Sequence, residues 1–238
     1  MFGSLPTLQP HTGRWIDLKS IVLLSGGLDS AVSLAHALRE TEVVLALTFD
    51  YGQQAAEPEK KAAASLAEHY GVRHRVIELS FLKEITRTAL VCREQNLPEP
   101  APGELDNPEA SSAGAIQVWV PNRNGVFINI AAAFAEALGC ERVVTGFNRE
   151  EAATFPDNSP GFVEALNEAL SFSTLNKVKA VSYTQRLDKV EIVRLGMKLN
   201  VPFQYVWSCY RGDERMCGRC ESCRRFWRAT EAAGLNVP

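Results

Sequence analysis

The chain has 238 residues, of which 46% are hydrophobic and 22% charged, with a formal net charge of −3. That length suffices for one α/β domain with a sizeable core, or for a domain with a small appendage. The mild acidity excludes the broad positive field with which proteins grip nucleic acid, and favours small-molecule substrates.

Residues 1–19 carry two prolines and two glycines without a period, and read as an arm laid on the surface. They lack a basic start followed by a long apolar run, and no stretch reaches the roughly 20 apolar residues that span a bilayer. A cytoplasmic protein with no membrane contact is expected. From residue 20 the pattern becomes regular: strand 21–25, helix 29–39, strand 43–49, a helix near 57–69 and strand 73–78. Strands that are almost continuously apolar, alternating with amphipathic helices, predict an α/β fold with a doubly wound, mainly parallel sheet covered on both faces. Residues 93–114 are Pro-rich and acidic without an apolar period, and read as a mobile insertion or lid. Next comes a helix of about 126–138, with Val126, Ile130, Ala133, Phe134 and Ala137 as its expected core face and Gly139 closing it at C′. Strand 142–146, helix 161–172, strand 178–183, helix 188–199 and a final helix of about 221–233 complete the reading. One α/β domain is thus expected over 20–200, and a cysteine-bearing segment over 201–238.

In such sheets ligands sit beyond the carboxyl ends of the strands, where the strand order reverses. The first strand ends in Ser25, Gly26, Gly27, Leu28, Asp29 and Ser30. Two glycines let the backbone approach an anion, and the N–H groups opening the next helix point at it. The spacing matches neither G-x-x-x-x-G-K-[ST] nor G-x-G-x-x-G. It resembles the pyrophosphate loop of the ATP pyrophosphatases. The same residues also suit an ordinary strand-to-helix turn with Asp29 or Ser30 as cap. Asp50, at a strand end, suits a magnesium ligand or a strand terminator.

Cys209, Cys217, Cys220 and Cys223 form C-x7-C-x2-C-x2-C, and Gly218 eases the turn between them. Four thiolates so close in sequence can close on one ion, which suits structural zinc, because a catalytic zinc keeps an open position. The ferredoxin spacing ending in Cys-Pro is absent. Arg211, Arg215, Arg219, Arg224, Arg225 and Arg228 outweigh the nearby acids and oppose the negative charge of such a centre. Cys92 and Cys140 fall outside the spacing and read as structural.

Five motifs in order resemble the 7-cyano-7-deazaguanine synthase family: the Ser25–Ser30 loop, Phe49-Asp50-Tyr51-Gly52-Gln53, Val120-Pro121-Asn122-Arg123-Asn124, Gly146-Phe147-Asn148, and Trp207-Ser208-Cys209-Tyr210 with its cysteine knuckle. The resemblance spans about residues 20–228. It implies an adenine nucleotide alpha hydrolase-like fold. The implied activity is conversion of 7-carboxy-7-deazaguanine to the nitrile with ATP, magnesium and ammonia, in queuosine biosynthesis, by a zinc-bearing homodimer. The nucleotide stretch would run from Leu24 through Ser25, Gly26, Gly27, Leu28, Asp29, Ser30 and Ala31 to Val32, with Asp50 and Gly146. Asp29, Arg123 and Lys189 would be the catalytic residues. Lys189 resembles a second phosphate-binding lysine, although a solvated lysine in a first helical turn is an equal reading of the residue itself. Tyr51, Gln53, Asn122, Arg123, Asn124, Asn148 and Asp157 would contact the base, and Phe226 and Trp227 offer a dimer surface. The chain departs from the family at Phe155, Asn158 and Ser159, and at Gln54 and Ala55. A tRNA-thiolating or amidating relative, or a non-catalytic ATP sensor, remain the alternatives.

Overall fold

Alternate residues of the central strands face two separate cores, which is why those strands are mostly apolar, with Ser20, Thr48 and Thr145 as buried polar exceptions. The computed structural model describes residues 17–236, so nearly all of the expected N-terminal arm lies outside the described residues. Five parallel strands form one sheet in the order β3-β2-β1-β4-β5: β1 (Lys19–Leu23), β2 (Glu42–Asp50), β3 (His74–Glu78), β4 (Arg142–Thr145) and β5 (Lys179–Ser182). Ile21 and Val143 point into one core, Val22 and Val144 into the other. The helices among the described residues are α1 (Leu28–Glu40), α2 (Ala56–His69), α3 (Ser80–Ile85), α4 (Pro108–Val118), α5 (Arg123–Ala137), α6 (Arg149–Ala152), α7 (Pro160–Ser173), α8 (Lys189–Lys198) and α9 (Glu221–Ala233). Residues of α3, α4, α5 and α7 fill the first core, and residues of α1, α2, α8 and α9 the second. The doubly wound parallel sheet expected from the strand pattern is therefore present. The order reverses between β1 and β4, so the crevice for a ligand opens there. No described helix is long and apolar enough to cross a membrane.

Three expectations need correction. On α5 the buried residues are Asn124, Gly125, Ile128, Ala131, Ala132 and Ala135, whereas Ala133 and Ala137 are exposed and Val126, Ile130 and Phe134 half-buried. This helix is apolar all round, so periodicity could not choose its face. Contact with the sheet did, and it took the small side chains that allow close approach. Phe226 is 1% exposed and belongs to the second core, so it offers no surface to a partner. Residues 93–114 are not irregular throughout: 93–107 hold one short turn of helix at Pro102–Glu104, and α4 takes up 108–114, with Leu97 and Leu105 buried and Asn107 capping the helix. Arginines from the cysteine segment clamp this stretch: Arg211 and Arg219 to Glu99, Arg228 to Asp106, and Arg225 to Leu105 O and Ser111. Those cations therefore answer carboxylates and carbonyls as well as any charge on the sulfurs.

Ile128 is fully buried beneath the sheet. Ile128→Ala is expected to lower stability by about 2–5 kcal/mol, read as a lower urea midpoint with unchanged slope. A shift below about 0.5 kcal/mol would contradict this choice of face.

Candidate active site and metal centre

The loop after β1 is shaped by two backbone contacts. Gly26 adopts φ +81°, and a Cβ there would stand 2.7 Å from Ala62 Cβ and 2.9 Å from Glu59 O. At Gly146, after β4, a Cβ would stand 2.9 Å from Ser30 N. Neither position tolerates a side chain, because on the far side lies packed helix rather than solvent. Gly27 caps α1 without a side-chain bond, and the helix ladder starts with Ala31 N–H donating to Gly27 O at 3.0 Å. The N–H groups of Leu28, Asp29 and Ser30 thus lack acceptors among the described residues and open onto an anion-binding position. Ser30 Oγ donates to Gly27 O and meets Ser25 Oγ at 3.1 Å.

A cavity of about 280 Å³ lies over this loop. Leu24, Ser25, Gly27, Leu28, Asp29, Ser30, Tyr51, Arg123, Asn124, Gly146 and Lys189 line it. Other residues singled out from the sequence, Gly26 among them, are not part of its lining. Ala31 and Val32 are core. Asp50 accepts from Gly52 N–H with one oxygen and from Lys60 with the other. Gln53 bridges Phe49 O and Tyr51 N, Asn122 sits at φ 50° before α5, and Asn148 caps α6 through Glu151 N. Asp157 contributes its backbone oxygen to Asn124.

Lys189 is not a solvated lysine. Its ammonium meets Asp29 at 2.5 Å and Glu151 at 2.6 Å, with its side chain 11% exposed. Burial opposes the charge, but the two carboxylates hold the lysine protonated. Burial also pushes Asp29 up to about 6, with Glu151 adding to the rise and Lys189 resisting it. Glu151 is half-buried, and against the cost of that burial Lys189 and Asn148 draw it below the usual range. Asp29 Oδ1 remains buried without a partner. Across the cavity Arg123 donates to Tyr51 Oη at 3.1 Å, its guanidinium 5.7 Å from the centre of that ring. The end of the cavity that holds Asp29 and Lys189 thus faces an arginine and a set of aromatic walls, Phe127 and Phe155 among them.

Beside the cavity the four Sγ atoms of Cys209, Cys217, Cys220 and Cys223 lie within 4.8 Å of one another and could hold a metal ion. Two pairs, Cys217 with Cys223 and Cys209 with Cys220, are 3.9 Å apart. Backbone N–H groups of Arg211 and Cys220 donate to Cys209 Sγ and Cys217 Sγ at 3.3 Å. Gly218, at φ +70°, makes the turn.

Sequence reasoning gave no cavity role to Glu59, Glu151, Tyr210 and Arg225, which also line the cavity. For Glu151 the signal was Asn148 three positions earlier, an N-cap pattern. For Glu59 it was a carboxylate heading the buried stripe of α2, in register with Ala62, Ala63 and Leu66. Tyr210 and Arg225 had no comparable local signal.

A parallel sheet with a glycine-bearing loop at its switch point and a buried lysine beside it defines a doubly wound α/β protein. Residues 19–234 match the family model described as "Queuosine biosynthesis protein QueC". The chain belongs to that family. The 7-cyano-7-deazaguanine synthase of Pelotomaculum thermopropionicum is 69% identical over 220 residues, covering 92% of this chain and 100% of that protein. The protein of the same name from Desulforudis audaxviator is 60% identical over 217 residues, covering 91% and 98%. A solved 4-thiouridine synthetase in complex with RNA and ATP is similar with a TM-score of 0.49 at 18% identity, covering 91% of this chain and 53% of that one.

Because a Cβ at residue 146 would strike the backbone at Ser30, Gly146→Ala should weaken ATP binding at least about tenfold in calorimetric titration while far-UV circular dichroism stays the same, about 1.4 kcal/mol of lost interaction. Unchanged affinity would contradict the loop geometry.

Proposed function

We propose that the chain converts 7-carboxy-7-deazaguanine and ammonia to 7-cyano-7-deazaguanine while cleaving ATP to AMP and pyrophosphate. Family membership and the names of the relatives support this reading. The observation that carries it is the row of unpaired N–H groups at Leu28, Asp29 and Ser30, facing the same cavity as Lys189 and Arg123.

A carboxylate is a poor electrophile at neutral pH. Transfer of an adenylyl group to its oxygen creates a leaving group, ammonia displaces AMP to give the amide, and a second adenylation of the amide oxygen lets the nitrile form. In this scheme Ser25, Gly26, Gly27 and Ser30 hold the departing pyrophosphate with Lys189, whose charge lies where negative charge develops. Asp29 Oδ1, buried and unpartnered, is an oxygen donor of the kind magnesium takes, and the ion would supply further charge neutralisation there. Asp50 fits that role poorly, since both of its oxygens are engaged. Arg123 suits a bidentate grip on the substrate carboxylate, with Tyr51 and Asn124 beside it. Asp157 and Asn148 shape the base end from behind.

The four-cysteine centre fits zinc. Bonds of about 2.3 Å in a tetrahedron place sulfurs about 3.8 Å apart, close to the two 3.9 Å pairs. All four positions are filled by protein, so the ion holds the 209–223 loop against α9 and takes no part in the chemistry. A cytoplasmic homodimer is the form that the family resemblance implies, and the exposed Phe172 and Leu175 at the end of α7 supply apolar surface for it.

Two outcomes are expected. Purified protein given labelled ATP, 7-carboxy-7-deazaguanine and ammonium should release AMP, pyrophosphate and the nitrile; turnover with unmodified tRNA in place of the base would instead support a tRNA-modifying enzyme. Elemental analysis should find about one zinc per chain, and Cys220→Ser should lose most of it together with stability; full zinc content in that variant would refute the assignment.

A further inference from the structure

Glu59 has no part in the scheme above, yet it lines the same cavity as the phosphate loop and Arg123. It lies on the inward stripe of α2, where Ala62, Ala63 and Leu66 are buried. An acid in that register has its charge taken from bulk water at a cost that a structural position gains nothing from. Its neighbours also orient it. Gln53, itself 3% exposed, accepts from Tyr51 N–H through Oε1 at 2.9 Å. Its Nε2 donates to Phe49 O at 3.1 Å and to Glu59 Oε2 at 2.8 Å. Both ends of the amide are committed, so its donor face is fixed on the carboxyl. Glu59 Oε1 makes no hydrogen bond among the described residues, which leaves one oxygen for a ligand.

We infer that Glu59 is the proton acceptor for the nitrogen in both halves of the proposed reaction; the inference rests on that reading of the site. When ammonia attacks the acyl adenylate, the new C–N bond leaves a positively charged nitrogen. Glu59 takes a proton from it as the C–O bond to AMP breaks, and the bonding pair departs on the phosphate oxygen, giving the amide. After the amide oxygen is adenylated, the nitrogen loses its remaining two protons as the second C–O bond breaks, and the electrons left on nitrogen complete the triple bond. Each proton passes from the carboxyl to solvent between steps. One base therefore serves both halves, because in each a nitrogen gives up protons while AMP leaves the same carbon.

The titration of the group matches this work. Burial pushes the carboxyl up to about 7; Gln53 and Arg123 resist that rise, and Asp50 and the Cys209 sulfur add to it. The charged and titratable groups facing it are Arg123, Asp50, Cys209 and the phenol of Tyr51. A base tuned near the working pH is the efficient one.

The test compares the parent enzyme with Glu59→Gln. With ammonium as nitrogen source, kcat is expected to fall about 10²- to 10³-fold. Exchange of labelled pyrophosphate into ATP, driven by 7-carboxy-7-deazaguanine without ammonia, is expected to persist within about threefold, because no nitrogen is involved in that partial reaction. In the parent, kcat should rise with pH through about 7 as Glu59 loses its proton, and this limb should vanish in the variant. Should Glu59→Gln not fold, Glu59→Asp, which keeps the carboxyl one methylene short, must lose more of the ammonium-dependent rate than of the exchange. A variant with kcat within threefold of the parent, or one that loses exchange and amidation equally, overturns the inference. A parent that exchanges no pyrophosphate overturns the proposed function itself and the role of Glu59 with it.

Discussion

The site depends on how closely three backbones approach at the end of β1. Gly26 lies against the first turns of α2, Gly146 against the first turn of α1, and Trp207 N–H binds Gly26 O at 2.9 Å. These contacts leave the opening N–H groups of α1 facing a cavity with nothing among the described residues to satisfy them. A helix start that opens onto a cavity is satisfied by water or by an anion, and the helix dipole favours the anion. The rest of the fold follows from it. The sheet reverses order between β1 and β4 because the strand carrying Gly146 must lie beside the strand that delivers the loop.

Charge is arranged around that opening in two layers. Lys189, from the first turn of α8, crosses to Asp29 on α1 and Glu151 on α6, so one buried cation ties three elements together. The ammonium sits at a helix N-terminus, where the dipole disfavours it, and only the two carboxylates make its position tenable. An arriving polyphosphate would offer the same cation a denser negative charge than either carboxylate. Farther out, the cysteine segment and the acidic stretch at 93–114 fix each other through Glu99, Asp106 and their arginines, which closes one side of the cavity with an ordered wall.

Much of this was legible in the chain. Continuous apolar strands gave the parallel sheet, Ser-Gly-Gly-x-Asp-Ser gave the loop, and three short cysteine gaps gave the metal knuckle, because each is a local pattern with one economical physical reading. What was missed depends on neighbours distant in sequence. The buried face of α5 could not be read from a helix apolar all round, and α4 was hidden by a Pro-rich, acidic composition whose order comes from arginines more than a hundred residues away. The pairing of Lys189 and the exposure of Glu59 to the cavity are likewise tertiary facts, although an acid on the apolar stripe of α2 was a visible warning. Phe226 shows the converse error: an aromatic residue in a charged segment was read as surface, when the large amphipathicity of α9 turns it inward.

The central claim is that the amides opening α1 take the polyphosphate of ATP and that Lys189 transfers to it from Asp29. A crystal structure with a non-hydrolysable α,β-methylene ATP tests this most directly. The account predicts the β and γ phosphates within hydrogen-bond distance of the Leu28, Asp29 and Ser30 N–H groups, with Lys189 Nζ on a phosphate oxygen. Phosphates bound elsewhere in the cavity, with Lys189 still on Asp29 and those amides facing water, would contradict it.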